Sequence, residues 1–232
     1  MPRRQFDAVL FDLDGTLVHS EAVAARTVEA VFARYGRLLD PSLSAAVTGK
    51  TWAAAMDEME KSAEIARGGG LPAPRARLLA EILDEYRLRL KTEVHPVPGS
   101  EAAVRALAAQ YRLGLVSGSY REEILFALGM LKIVKHFDPI LGAEDYENSK
   151  PAPDGYLKAL SLLGVAPSRA VVFEDSEPGI RSALAAGCRV VAVRYCQSIS
   201  PRSPWLSQVH ASVETLEQVS PEALERLVER RN

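Results

Sequence analysis

The chain has 232 residues, 47% hydrophobic and 25% charged, with a formal net charge of −2. That length allows one domain with a sizeable core, or a core plus a smaller insert, and the interspersed acids and bases argue against a nucleic-acid or membrane-surface partner. No apolar run approaches the roughly 18 residues of a spanning helix, and the N-terminal apolar stretch is cut by Asp12 and Asp14 before it could serve as a signal core, so a soluble, cytoplasmic protein is expected.

The first element is a strand from Phe6 to Phe11, too apolar for an exposed edge and therefore a central strand of a parallel sheet covered on both faces. It ends in Asp12-Leu13-Asp14-Gly15-Thr16. Open α/β sheets place their chemistry at strand carboxyl ends, and alternation along a strand lets Asp12 and Asp14 point toward one site. In isolation the same run also fits a strand-to-turn junction with a capping Asp and a glycine at positive φ.

The pattern then turns helical. Ser20 is placed to cap a helix carrying Val23, Thr27, Val28, Val31, Phe32 and Tyr35, which runs to Gly36. A short helix over 42–47, one over 51–66 broken by Arg67-Gly68-Gly69-Gly70-Leu71-Pro72, and a long one over 73–90 follow. Residues 18–93 therefore form a helical inserted domain without a strand, and 1–17 with 94–232 form the α/β core. The return point is His95-Pro96-Val97-Pro98-Gly99.

Beyond Gly99 helices and strands alternate: helix 101–111, strand 113–117, helix 121–128, strand 139–141, helix 154–163, strand 170–173, helix 178–186 and strand 189–193. Such alternation predicts a doubly wound parallel sheet. The segment 212–218 and a helix over 221–230 close the core. The loop 194–204, with its prolines and serines, reads as a surface connection or as a subunit or cap contact. Cys188 fits a small core residue and Cys196 a loop residue; two cysteines so placed make no disulfide framework or zinc site, and the scattered histidines suggest no metal.

Strand ends deliver the chemistry. Asp12, then Ser117-Gly118-Ser119, then Lys150 and finally Glu174-Asp175-Ser176 emerge on one edge of a parallel sheet. Convergent carboxylates need cations to remain ionised, and Mg²⁺ suits an all-oxygen set that shares its shell with a substrate phosphate. Lys150 and Ser117 add a positive charge and a donor for phosphate oxygens, so one aspartate can attack phosphorus while its partner handles protons. Alone, Ser117 also fits a helix cap and Lys150 a solvated loop lysine.

As a set, Asp12-Leu13-Asp14-Gly15-Thr16, Ser117, Lys150-Pro151 and Glu174-Asp175 resemble the four motifs of the haloacid dehalogenase-like hydrolase superfamily. Pro178-Gly179-Ile180 followed by Ala183-Leu184-Ala185-Ala186-Gly187 resembles its phosphoglycolate phosphatase and β-phosphoglucomutase branch. The resemblance implies a Rossmann-like core with a helical cap. It also implies Asp12 as nucleophile and Mg²⁺ ligand, and Asp14 as general acid and base with its backbone carbonyl on the metal. Glu174 and Asp175 are then further metal residues, with Glu174 bound directly or through water, and Ser117, Gly118 and Lys150 bind the phosphate. Gly49-Lys50-Thr51-Trp52 resembles the branch's cap loop, making Lys50 a candidate substrate contact or else an exposed helix-start lysine.

Dehalogenases lack the second acid at the position of Asp14, and phosphonate-cleaving relatives depart from the Asp-x-Asp-Gly-Thr form. The sugar phosphomutases carry a cap histidine and a cap arginine where this chain has Ala24 and Trp52. The expectation is a Mg²⁺-dependent phosphatase acting on a small phosphorylated metabolite, of sugar phosphate or phosphoglycolate type, as a monomer or weak homodimer. The alternatives are a β-phosphoglucomutase-like mutase and a non-catalytic phospho-ligand binding protein.

Overall fold

The computed structural model describes residues 4–40, 43, 51–62, 65 and 67–229. The chain divides into two compact units, residues 1–19 with 96–232, and residues 20–95.

The first unit is built on a six-stranded sheet in the order β5-β4-β1-β6-β7-β8. Its strands are β1 (Ala8–Phe11), β4 (Arg112–Val116), β5 (Ile140–Leu141), β6 (Ala170–Glu174), β7 (Arg189–Val193) and β8 (Ala211–Val213). Two two-residue strands, β2 (Val18–His19) and β3 (His95–Pro96), lie where the chain leaves and re-enters this unit, so 18–93 is not free of strand as the sequence suggested. Every pairing in the large sheet is parallel, which makes the fold α/β. Between its strands run α4 (Ser100–Ala108), α5 (Arg121–Met130), α6 (Asp154–Leu163) and α7 (Glu177–Ala185), and α8 (Pro221–Glu229) ends the described chain.

β1 is buried throughout, as its unbroken apolar run requires. Phe11 of β1 is in register with Phe173 of β6, and their rings stack at 5.0 Å. Burying each such side chain contributes about 1.5–3 kcal/mol. The strand order reverses direction between β1 and β6, since β4 and β5 follow on one side and β7 and β8 on the other. A reversal of this kind opens a crevice beyond the strand carboxyl ends, and the residues there are Asp12 and Glu174-Asp175.

Several boundaries moved. The segment 212–218 begins inside β8, a sixth sheet strand too short to declare itself by periodicity, which is followed by a 3₁₀ turn Leu216–Gln218. Strand β6 runs one residue further than its apolar run, so Glu174 belongs to the strand.

The helical unit contains α1 (Glu21–Arg34), α2 (Trp52–Lys61) and α3 (Arg75–Glu93). Ser20 stands at the N-cap of α1, but its side chain makes no capping hydrogen bond, so the expected cap is not formed. Thr51 does cap α2, accepting from the Ala54 N–H at 3.2 Å. That helix ends at Lys61 because Ser62 turns to extended backbone, earlier than the sequence indicated. Val28, Val31, Phe32, Leu78, Ile82 and Met56 are fully buried within this unit. A polar seam joins α1 to α3: Arg34 pairs with Glu85, Tyr35 donates to Glu81 at 2.8 Å, and Arg26 meets Glu93 at 2.8 Å. The expected 42–47 helix, apart from Leu43, and the candidate contact Lys50 lie outside the described residues.

Candidate active site

The register of the sheet builds the site. Asp12 follows Phe11, its N–H donates to the Phe173 carbonyl at 3.1 Å, and this holds it beside Glu174. Ser117 extends β4 by one bond to the Leu141 carbonyl at 3.0 Å. The chain after Asp12 turns sharply, with the Leu17 N–H donating to the Leu13 carbonyl at 2.8 Å and the Gly15 N–H to the Val18 carbonyl at 2.7 Å.

That turn requires glycine at residue 15. Its φ is +88, and a Cβ there would lie 1.9 Å from Asp175 Oδ2. Gly179, at the start of α7, plays the same part for Glu174, whose Oε1 would lie 1.6 Å from a Cβ. Both motif carboxylates are thus packed against bare backbone.

Lys150 is the hub of the site. Its Nζ donates to Asp12 Oδ1 at 2.6 Å, to Glu174 Oε1 at 2.7 Å and to the Val116 carbonyl at 3.2 Å. The Tyr156 ring lies beneath it, 5.2 Å from Nζ to centroid. Lys150 is therefore no solvated loop lysine. Burial favours its neutral amine, but Asp12 and Glu174 outweigh that and hold the ammonium form well above the ordinary range.

Glu174 is fully buried and satisfied on both oxygens. Besides Lys150, Oε1 accepts from the Tyr156 hydroxyl at 3.2 Å, and Oε2 accepts from the N–H groups of Asp175 and Ser176, both at 2.9 Å, and from Ser176 Oγ at 3.0 Å. Asp175 is 1% exposed. Its Oδ1 accepts from Thr16 Oγ1 at 3.4 Å and its Oδ2 from Ser198 Oγ at 2.5 Å.

Asp12, Glu174 and Asp175 form a buried group whose ligand oxygens lie within 4.8 Å of one another. Asp14 is turned elsewhere: its Oδ2 accepts from Ser119 Oγ at 2.8 Å and from Ser117 Oγ at 3.2 Å. The four converging carboxylates thus divide into a group of three and a separate Asp14, whose side chain does not join the cation set expected from sequence. Ser117 caps no helix, since α5 begins after Tyr120; its Oγ instead accepts from the Ser119 N–H at 3.0 Å, and half-buried Gly118 forms the turn between them.

The charge balance fits a hard divalent cation. Burial, followed by the charges of Glu174 and Asp14, pushes the Asp12 carboxyl up to about 8 even though Lys150 opposes the shift. One lysine leaves the group short of positive charge, and its donors are oxygens without Cys or His.

The sequence places Ser119 in the strand end Ser117-Gly118-Ser119, though without a role of its own. Two further residues of this site were not singled out by sequence: Tyr156 falls on the buried face of its helix, and Ser198 lies in the loop that carried no pattern.

Residues 9–193 match the family described as haloacid dehalogenase-like hydrolase. The chain is 30% identical over 192 residues to the fructose-1-phosphate phosphatase YqaB of Escherichia coli, covering 82% of this chain and 97% of that protein. The structure of CbbY from Rhodobacter sphaeroides in complex with phosphate superposes with a TM-score of 0.77 at 25% identity, covering 95% of this chain and 99% of the other. That of β-phosphoglucomutase from Clostridium difficile shares the fold with a TM-score of 0.79 at 20% identity, covering 97% of each. The chain belongs to the haloacid dehalogenase-like hydrolases.

Proposed function

We propose that the protein is a Mg²⁺-dependent phosphatase that hydrolyses a small phosphomonoester, of sugar phosphate or phosphoglycolate type, through an aspartyl phosphate on Asp12. The observation that carries this reading is the division of labour between two aspartates two residues apart. Asp12 is buried against Lys150 and the other carboxylates, whereas Asp14 is held by two serine hydroxyls on the other side of the turn. Two carboxyls in such different surroundings suit two chemical roles.

In this reading an Asp12 oxygen attacks phosphorus, the bond to the ester oxygen breaks, and the electron pair leaves on that oxygen. Asp14 gives it a proton. Water then attacks the aspartyl phosphate, losing a proton to Asp14, and Asp12 is regenerated with release of phosphate. Lys150 neutralises Asp12 and the transferred phosphoryl oxygens, and the Ser117 hydroxyl, turning from Asp14 to the bound phosphate while Ser119 keeps its bond to Asp14, donates to those oxygens beside the Gly118 turn. Asp12 and Asp175 would hold Mg²⁺ together with the Asp14 carbonyl, and Glu174, whose oxygens are already engaged, would fix Lys150 and act on the ion through water. When bound, the ion supplies charge neutralisation of the phosphoryl group and of the carboxylate cluster. The helical unit of residues 20–95 would serve as the cap that selects the leaving group.

The test is turnover of a generic aryl phosphate and of a panel of sugar phosphates with Mg²⁺ and with chelator. Mg²⁺-dependent release of phosphate supports the reading. No turnover with any metal favours a phospho-ligand binding protein, and conversion of β-glucose 1-phosphate to the 6-phosphate makes it a mutase.

A further inference from the structure

We infer that Ser198 is a positioning residue for Asp175 and that the 194–204 loop is a working part of the metal site, an inference that rests on the metal-dependent reading above. The hydroxyl of Ser198 donates to Asp175 Oδ2 at 2.5 Å, the length of a bond from a hydroxyl to an ionised carboxylate. Asp175 itself is confined: Gly15 leaves no room on one side, and Thr16 Oγ1 reaches Oδ1 at 3.4 Å. A carboxylate that offers one oxygen to a cation needs its other oxygen held by a donor, or its rotamer wanders and the site loosens.

The loop around Ser198 is built to deliver this hydroxyl. Gln197, immediately before it, takes φ +54, a left-handed conformation that a residue with a side chain adopts at a cost. The Gln197 N–H closes a turn onto the Arg194 carbonyl at 3.1 Å. Immediately after Ser198, Ile199 is buried at 4% exposure and locks into the core. Further along, Ser203 Oγ donates to Glu177 Oε2 at 3.2 Å, tying the loop to the first turn of α7, which follows Asp175 and Ser176 directly. Tyr195 packs edge-on against His19 at 6.0 Å. An exposed serine on an untethered loop would have no reason to be held at both sides in this way.

The experiment is calorimetric titration of Mg²⁺ into the substrate-free full chain, for the wild type, Ser198→Ala, Ser198→Thr and Ser203→Ala, with the Mg²⁺ dependence of aryl phosphate turnover measured beside it. Ser198→Ala should weaken Mg²⁺ binding roughly tenfold, the low end of the effect of losing an outer partner of a metal ligand, because water can replace an exposed hydroxyl. The Mg²⁺ concentration for half activity should rise in step while kcat at saturating Mg²⁺ changes little. Ser198→Thr, which keeps the hydroxyl, should restore wild-type affinity, and Ser203→Ala, which frees the loop from Glu177, should weaken Mg²⁺ binding in the same direction by a smaller factor. A wild type that binds Mg²⁺ and a Ser198→Ala variant that binds it equally well overturn the inference and leave the phosphatase reading standing. A wild type that binds no Mg²⁺ overturns both. A drop in melting temperature with unchanged affinity assigns Ser198 to loop packing alone and also overturns it. Should the alanine variant fail to fold, Ser198→Val read against Ser198→Thr makes the same comparison.

Discussion

Gly15 and Asp175 meet across the crevice so closely that a single added carbon at residue 15 would lie 1.9 Å from Asp175 Oδ2. The turn after the nucleophile candidate and the carboxylate of the last motif, distant in sequence, are therefore one packed unit. Gly15→Ala should push Asp175 out of place and strain a backbone at φ +88. The expected result is a stability loss of about 1–3 kcal/mol, with a rise in the Mg²⁺ concentration needed for activity. Thermal melts and metal titrations check it; unchanged metal dependence would mean that Asp175 does not hold the ion.

Lys150 lies within hydrogen-bond reach of both Asp12 and Glu174. Lys150→Met should leave buried carboxylates without that partner and destabilise the chain by about 3 kcal/mol at neutral pH. The penalty should shrink on acidification, as the stranded Asp12 carboxyl, already pushed up by burial, takes up a proton. Denaturant unfolding at two pH values measures it, and a loss that grows toward acid pH would contradict the assignment.

Ser119 donates to Asp14 Oδ2 at 2.8 Å. If Asp14 protonates the leaving oxygen, Ser119→Ala should lower kcat for alkyl phosphates, whose leaving groups need that proton, by roughly tenfold. Aryl phosphates with good leaving groups should be affected much less. Equal losses on both substrate types would remove Asp14 from the proton-transfer role.

Tyr156 is fully buried with its hydroxyl on Glu174 and its ring under Lys150. Tyr156→Phe keeps the ring and removes the donor, so stability should fall by about 1.5–2 kcal/mol, the worth of a hydrogen bond to a charged group. Tyr156→Leu should cost more, since it also removes the ring face beneath the ammonium. Chemical denaturation of the two variants orders them.

His136 supplies a test remote from the site. Burial, then Lys135 and Arg105, holds its pKa below the ordinary value, and its Nε2 is buried with no hydrogen-bond partner among the described residues. The unfolded chain binds the proton more readily, so this group takes away stability as pH falls through about 6.5. His136→Leu should flatten the fall in stability between neutral and mildly acid pH; an unchanged slope would exclude the imidazole as its source.

The parts legible in sequence were those with local pattern. The central strand, the alternation that predicts a parallel sheet, and Asp12, Glu174 and Asp175 were readable because these carboxylates stand where an apolar run ends, whereas Lys150, in a loop without such a pattern, was marked only by the resemblance of the motif set. What stayed hidden depends on tertiary placement. The separation of Asp14 from the other carboxylates follows from two serine hydroxyls that reach it from the end of β4. Ser198 reaches Asp175 from 23 residues away, through a loop without periodicity. Tyr156 fits the helical apolar period so well that its polar task on Glu174 left no mark on the pattern. Strand β8 has only three residues, too few for alternation to register.

In the proposed reaction Asp12 carries the phosphoryl group. Acid quenching during turnover of an aryl phosphate, followed by peptide mass spectrometry, locates that group directly. The predicted result is a labile phosphoryl adduct on Asp12 in the wild type, with neither adduct nor turnover in a folded Asp12→Asn variant. A phosphoryl group on any other residue, or turnover persisting in Asp12→Asn, would contradict it.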